Sequence, residues 1–276
     1  MKIKYNYVIL ILLILIILWA LFYFYWYKKY EYFESSSQKI CTMSFGGGGQ
    51  NYYDALNRIK NEVKQTNVFD EIISFTDEDL KKDHEFWEKH GNFIENNNRG
   101  YGYWLWKPYL IMKTMENMND NDILFYIDSG CEITEYNQNE YDILQKMIRN
   151  CNNYDLLYTL TCCDEKMYTK MDLFKYMNLI DDKVMNSIMR QATIVIIKKN
   201  DITVDFIKDW YRIACNYHMI DDSPSILPND SSFIEHRHDQ SVFSLLLNTS
   251  KYNKLNTENN IIYDSYPIRL SRKRNG

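Results

Sequence analysis

The chain has 276 residues, 46% hydrophobic and 25% charged, with a net charge of −5. That length suits one large domain with a sizeable core, and so mild a negative charge gives no argument for nucleic-acid binding. Six cysteines without a Cys-x-x-Cys pair make neither a disulfide scaffold nor a zinc knuckle.

The run from Val8 to Tyr27 carries no charged residue. At ~1.5 Å per residue it reaches ~30 Å, the thickness of a bilayer core. Lys2 and Lys4 precede it, Lys28 and Lys29 close it, and its second half, from Trp19, is aromatic, as suits a membrane interface. A cleaved signal peptide would have a shorter apolar core and a small-residue cleavage site, whereas bulky aromatics follow here. The sequence therefore predicts a short tail over 1–7, a transmembrane anchor over 8–27, a stalk over 28–38 and a single domain over 39–276. Lysines flank both ends evenly, so the positive-inside rule decides little. The amino-terminal charge tips the reading to a single-pass, type II membrane protein with the large domain translocated. Two sequons, at Asn229 and Asn248, could carry glycans on that orientation.

Residues 39–45 read as a first strand, followed by four glycines, Gly46 to Gly49. Ala55, Leu56, Ile59 and Val63 recur at helical spacing over 54–63. Residues 69–75 read as a second strand closed by Thr76-Asp77. Residues 102–118 read as helical after Pro108, since proline is tolerated in a first turn. Strands are predicted at 123–128, 155–161 and 191–198, with Cys162 and Cys163 at the end of the second of these. Helices are predicted at 204–217 and 240–247. Strands alternating with helices imply a layered α/β fold. The basic end, Arg269 to Arg274, reads as a solvated tail.

Chemistry concentrates in four places. Residues 123–130 read Ile-Leu-Phe-Tyr-Ile-Asp-Ser-Gly, an apolar strand that delivers Asp128 to the sheet edge where α/β proteins bind ligands. Asp128 would suit a metal or a ribose there; a turn cap is the simpler role. The backbone N–H groups of Gly46 and Gly47 could approach a nucleotide or phosphate, or the glycines could serve as a flexible turn. They form neither a Walker loop nor a dinucleotide fingerprint. Residues 99–108 read Arg-Gly-Tyr-Gly-Tyr-Trp-Leu-Trp-Lys-Pro; Trp104 and Trp106 read as core, and Lys107 is placed at a helix start where it could meet a diphosphate. Residues 235–241 read Glu-His-Arg-His-Asp-Gln-Ser. His236 and His238 beside a carboxylate suit a divalent cation or a phosphate, and Asp239 suits a helix N-cap. With Asp128, these residues point to metal-assisted phosphate chemistry with a nucleoside diphosphate as leaving group.

Three segments, Gly-Tyr-Trp-Leu-Trp-Lys-Pro-Tyr, Tyr-Ile-Asp-Ser-Gly-Cys and Phe-Ile-Glu-His-Arg-His-Asp-Gln-Ser, resemble those of a set of glycosyltransferase-like proteins of bacteria and large viruses. The resemblance covers most of residues 40–250. More distantly, the chain is similar to nucleotide-sugar transferases of the GT-A fold, including glycosyltransferase families 8 and 32. The resemblance implies a GT-A-like, Rossmann-type mixed sheet flanked by helices. It implies a membrane-anchored transferase that moves a sugar from a nucleotide-sugar donor to a glycan, glycoprotein or glycolipid acceptor, retaining configuration, with Mn²⁺ or Mg²⁺ as cofactor. Asp128 matches the first acid of the Asp-x-Asp pattern that holds ribose and metal; the second is Gly130 here, so Glu132, His236 or His238 would have to complete the metal site. Asp239 and Gln240 match a catalytic Asp-Gln pair beside the transferred sugar. Arg190 and Gln191 precede a buried strand that lines the acceptor side in that fold, and Arg190 joins Lys107, Gly46 and Gly47 in the expected nucleotide-sugar-binding set. Two other readings are a non-catalytic carbohydrate-binding protein, with Trp104 and Tyr126 stacking on sugars, and a metal phosphohydrolase built on His238-Asp239. The buried β-runs at 123–127 and 192–197 argue against the helical scaffold that the hydrolase needs.

Overall fold

The computed structural model describes residues 14–25, 38–133 and 137–273. The chain divides into two units, Met1–Gln38 and Lys39–Gly276. In the first, residues 14–25 form a helix on which Trp19 stacks with Tyr23, ring centroids 5.7 Å apart. No described helix is long and apolar enough to cross a membrane. The expected span over 8–27 extends past that helix on both sides, so its ends, like the tail and nearly all of the stalk, lie outside the described residues.

The strands of the second unit are β1 (Ile40–Phe45), β2 (Glu71–Phe75), β3 (Ile123–Ile127), β4 (Glu132–Ile133), β5 (Leu156–Asp164), β6 (Ile188–Lys198) and β7 (Ile268–Arg269). Five of them form the central sheet, in the order β2-β1-β3-β6-β5. β1 runs parallel to β2 and β3, and β6 runs antiparallel to both β3 and β5. The sheet is thus mixed. β3 is buried along its whole length, which explains why it reads as an unbroken apolar run rather than an alternating one.

Alternation still decides which helix each residue meets. Leu124, Tyr126, Val195 and Ile197 face one layer, formed by helices Trp106–Glu116, Asp201–Ala214 and Asp239–Leu247. Ile123, Phe125, Ile127, Ile194 and Ile196 face the other, where Ile59 and Val63 of helix Gln50–Gln65 pack beside Leu144, Ile148 and Cys151 of helix Gln138–Tyr154. Each fully buried aliphatic side chain contributes ~1.5–3 kcal/mol. The small second sheet pairs β4 with β7 and brings the residues around 270 against the loop after β3.

Several boundaries differ from expectation. The strand expected at 191–198 begins at Ile188, and that expected at 155–161 extends to Asp164, its register slipping at Tyr158/Thr159 and again beyond Leu160. The helix expected over 102–118 starts only at Trp106, because the residues before it turn the other way. Helices His84–Glu95 and Gln138–Tyr154 are additions to the expected set; the second has a capping box at Asn137 and Glu140 and a clean apolar face. Both sequon asparagines use their side chains locally, Asn229 accepting from the Met171 N–H and Asn248 donating to the Ser244 carbonyl.

Trp106 stacks on Phe45 with centroids 3.9 Å apart, and its indole N–H donates to the Gly100 carbonyl at 3.0 Å. Trp106→Ala should cost about 3–5 kcal/mol, as for a large aromatic removed from a packed site. Urea unfolding checks this; a loss below ~1 kcal/mol would mean that the ring is not a keystone of the β1 edge.

Candidate functional site

A cavity of about 890 Å³ opens at the carboxyl ends of β1, β3 and β5. Gly46–Gly48, Asp128–Cys131 and Leu160–Cys163 come from those three strand ends, and Gln191 and Thr193 come from the incoming part of β6. Ligands of α/β sheets bind at this edge because the loops there leave the sheet in different directions.

One wall is a left-handed turn. Gly100, Tyr101, Gly102, Tyr103 and Trp104 all have φ between 53° and 82°. Glycine tolerates this, but each other L-residue pays ~1–2 kcal/mol for it, and three aromatic residues do so here. Backbone bonds hold the turn: Tyr103 N–H to the Arg99 carbonyl at 2.8 Å and Trp104 N–H to the Gly100 carbonyl at 3.1 Å. A side chain at Gly100 would collide with the Trp104 ring. The turn lines the cavity with Tyr101 and Trp104, then reverses into the helix that begins at Trp106. Strain of this kind clusters at ligand sites.

On the floor, Lys107 is 3% exposed. Its ammonium lies 3.2 Å from Asp128 Oδ1 and 3.3 Å from Asp239 Oδ2, and donates to the Ala192 carbonyl at 3.0 Å. The Tyr126 hydroxyl donates to the same Asp128 oxygen, and the ammonium sits 5.0 Å above the Tyr126 ring. Burial works against the lysine's charge, but the Asp128 and Asp239 carboxylates outweigh it and hold the ammonium above its usual range. Asp239 is the opposite case. Burial pushes its carboxyl up to about 7, against the pull of Lys107 and with the push of Asp128.

The expected site residues sort as follows. Asp128, Lys107, Gly46, Gly47, His238, Asp239 and Gln240 all line this one cavity. Lys107 does so already committed to two carboxylates, rather than as the open diphosphate cation expected at a helix start. Asp239 is the first residue of its helix and not its cap, which is His238. Gln240 accepts from the Ala192 N–H at 3.3 Å. Arg190 does not line the cavity: its guanidinium donates to Asn256 at 2.9 Å and to Ser187 and the Ile188 carbonyl. Its neighbour Gln191 lines the cavity instead, as strand alternation requires.

His236 does not line the cavity either. Its Nδ1 accepts from the Lys170 N–H at 3.3 Å and its Nε2 donates to the Met219 carbonyl at 2.9 Å, which uses both ring nitrogens. Burial drives its pKa down to about 3. It buttresses a loop and has no lone pair for a metal. His238 donates Nδ1–H to the Ile220 carbonyl at 2.7 Å and lies between the rings of Tyr103 and Trp104. Burial lowers its pKa to about 4.

Mn²⁺ or Mg²⁺ fits this donor set poorly. Among the described residues no three His, Cys, Asp or Glu side chains are grouped to hold a metal. Glu132 is paired with Lys273 at 2.8 Å and does not line the cavity. At the place of the second acid, Gly130 has the Arg272 backbone against it, 3.3 Å from where a Cβ would lie.

The basic end is not a free tail. Leu270 and Arg272 line the cavity. Lys273 N–H donates to the Gly130 carbonyl at 2.9 Å, and the Arg58 guanidinium clamps the Ser129, Cys131 and Lys273 carbonyls at 2.9–3.1 Å. Tyr101, Arg237 and the exposed thiol of Cys162 are further lining residues that sequence reasoning did not single out. For Tyr101 a signal existed in the Gly-Tyr-Gly spacing.

No family model matches the sequence, and no curated protein matches it. Among solved structures, one similar chain is mouse xyloside xylosyltransferase 1 in its apo form, with 8% identity, 77% of this chain and 83% of that chain covered, and a TM-score of 0.43. Another is core-mannan synthase A from Aspergillus fumigatus in a Mn/GDP form, with 12% identity, 84% and 74% covered, and a TM-score of 0.43.

Two of the buried side-chain atoms without a hydrogen-bond partner, Asp239 Oδ2 and His238 Nε2, belong to residues that line this cavity, a sign that a ligand completes the site. The Lys107 ammonium meets Asp239 Oδ2 as an ion pair at 3.3 Å. The raised Asp239 pKa also makes a stability prediction. The folded chain holds this proton up to about 7, the unfolded chain only to ~3.9. Between those values the folded state binds more protons, so wild type loses stability relative to Asp239→Asn as pH rises. The gap in melting temperature between the two proteins should move in favour of Asp239→Asn from about pH 5 to about pH 8. A gap that does not change with pH would show that the carboxyl is ionised throughout.

Proposed function

We propose that the chain is a glycosyltransferase that uses a nucleotide-sugar donor and a glycan, protein or lipid acceptor. The observation that carries this reading is the pair of carboxylates, Asp128 and Asp239, held across one buried ammonium on the floor of a cavity at the carboxyl edge of the sheet. The cavity's volume suits a nucleotide-sized ligand. Tyr101 and Trp104 offer flat faces for a base or a sugar ring. At Gly46 and Gly47 the chain comes close to helix Gln50–Gln65 and to Asp77: a Cβ on Gly46 would overlap the Tyr52 carbonyl, and one on Gly47 would lie 2.9 Å from the Asp77 nitrogen.

In this reading Asp128, half-buried at the strand end, accepts hydrogen bonds from the donor's ribose. Asp239 and Gln240 face the sugar. Asp239 Oδ2, without a protein hydrogen-bond donor of its own, is available to a sugar hydroxyl or to positive charge that grows at the anomeric carbon as the glycosidic bond lengthens. Trp104 and the left-handed turn keep water from the floor. Retention of configuration is part of the proposal on resemblance alone. The single-pass, type II anchor over 8–27 is a further part of the proposal, supported by its uncharged twenty-residue run.

The test is turnover of UDP-, GDP- and CMP-sugars, read as released nucleotide. Asp128→Asn and Asp239→Asn should each lower the rate by about 100-fold or more while leaving the circular dichroism spectrum unchanged. Nucleotide binding with no turnover of any donor would favour the non-catalytic carbohydrate-binding reading. Full activity in either variant would overturn the site assignment.

A further inference from the structure

We propose, resting on the transferase reading, that this site holds the diphosphate of its donor without a divalent metal. Lys107 is the built-in cation between the two carboxylates, and Arg272 is the cation that meets the diphosphate.

The first argument is occupancy. A metal such as Mg²⁺ that bridges an acid at the end of β3 to a diphosphate must sit within ~2.0–2.1 Å of a carboxylate oxygen. Here Asp128 Oδ1 already has the Lys107 ammonium at 3.2 Å and the Tyr126 hydroxyl as partners, so a cation could reach only Oδ2 of the same carboxylate. The ammonium is buried and also bonds the Ala192 carbonyl, so it cannot swing away without leaving a charge stranded in the core. A divalent ion on Asp128 would face that fixed positive charge at short range. The other acid of the floor, Asp239, shares the same ammonium, Gly130 has no side chain, and Glu132 is paired with Lys273.

The second argument is where positive charge is left over. Three arginines line the cavity. Arg99 is paired with Asp222 at 3.1 Å and Glu235 at 2.8 Å, and Arg237 with Glu235 at 2.9 Å. Arg272 makes no ion pair or hydrogen bond through its guanidinium among the described residues. It is exposed, lines the cavity with Asp128 and Ser129, and its backbone lies against Gly130. Its φ of 52° is the left-handed conformation that a non-glycine residue adopts only when held. The Gly130–Lys273 bond and the Arg58 clamp hold it. The guanidinium fork pairs with phosphate oxygens two at a time, and the chain after β7 brings the backbone of this arginine to the spot where the side chain of a second acid would otherwise be.

Calorimetric titration of the whole chain with UDP and GDP tests the proposal, once in excess EDTA and once in Mn²⁺. One of the two nucleotides should bind with a Kd that agrees within about twofold between the buffers, and Arg272→Ala should weaken that binding by about tenfold or more in EDTA. Arg272 is exposed, so its removal leaves the fold intact, and Arg272→Lys should recover part of the loss. Binding that requires Mn²⁺, or that is unchanged in Arg272→Ala, overturns the metal-free proposal and leaves the transferase reading standing. Binding of neither nucleotide in either buffer overturns the metal-free proposal, and if no CMP-sugar is turned over either, it overturns the transferase reading as well.

Discussion

A buried ammonium cannot stand alone. Taking a lysine's charge out of water costs many kcal/mol unless partners of opposite sign come with it, and Lys107 is almost wholly enclosed. Its partners are Asp128 at the end of β3, Asp239 at the start of helix Asp239–Leu247, and the carbonyl of Ala192 in β6. Four elements distant in sequence must therefore meet at one atom. The same interaction that closes the domain's centre sets two carboxylates side by side at the cavity floor, so stability and the candidate chemistry share one constraint.

Around that floor the protein uses local strain and buttressing rather than flexible loops. The five left-handed residues from Gly100 to Trp104 are unfavourable taken alone, and they persist because Trp106 packs on Phe45 and hydrogen-bonds back to Gly100. Against that turn, where His238 stacks on Tyr103 and Trp104, the segment that carries Arg237 to Gln240 follows a loop pinned from below. Asp172 accepts from the Ile226 and Leu227 N–H groups and contacts His218 at 2.7 Å, while buried Lys170 pairs with Asp221 at 2.9 Å. His236 completes this scaffold. Its conspicuous neighbours in the sequence suggest a metal ligand, yet its chemistry is spent on two backbone groups.

The parts of the site legible in the sequence are those written locally. β3 stands out because both of its faces are buried, and Asp128 follows from where that strand ends. Asp239-Gln240 stands out as a polar pair directly before an apolar helix. What could not be read is pairing over long separations. Nothing in residues 99–108 says that Lys107 will meet residues 128 and 239 instead of open solvent. Arg190 and Gln191 are neighbours with opposite fates, and a one-residue register difference in β6 decides which faces the cavity. Arg272 was hidden for a related reason: a basic end reads as solvated until two residues of β7 are seen to pair with β4.

That last feature bears on how the domain folds. β7 and the residues after it supply one wall of the cavity, and Gly46–Gly48 supply another, so the site joins two ends of the domain. Contacts of such long sequence separation form late and slowly, because the intervening chain must be ordered first. During synthesis β1, β3 and their helices can be assembled while the cavity still lacks its rim. Until residues 268–273 leave the ribosome, the edge of the loop after β3, with its open carbonyl at Gly130, has no covering strand and is exposed to pairing with another chain.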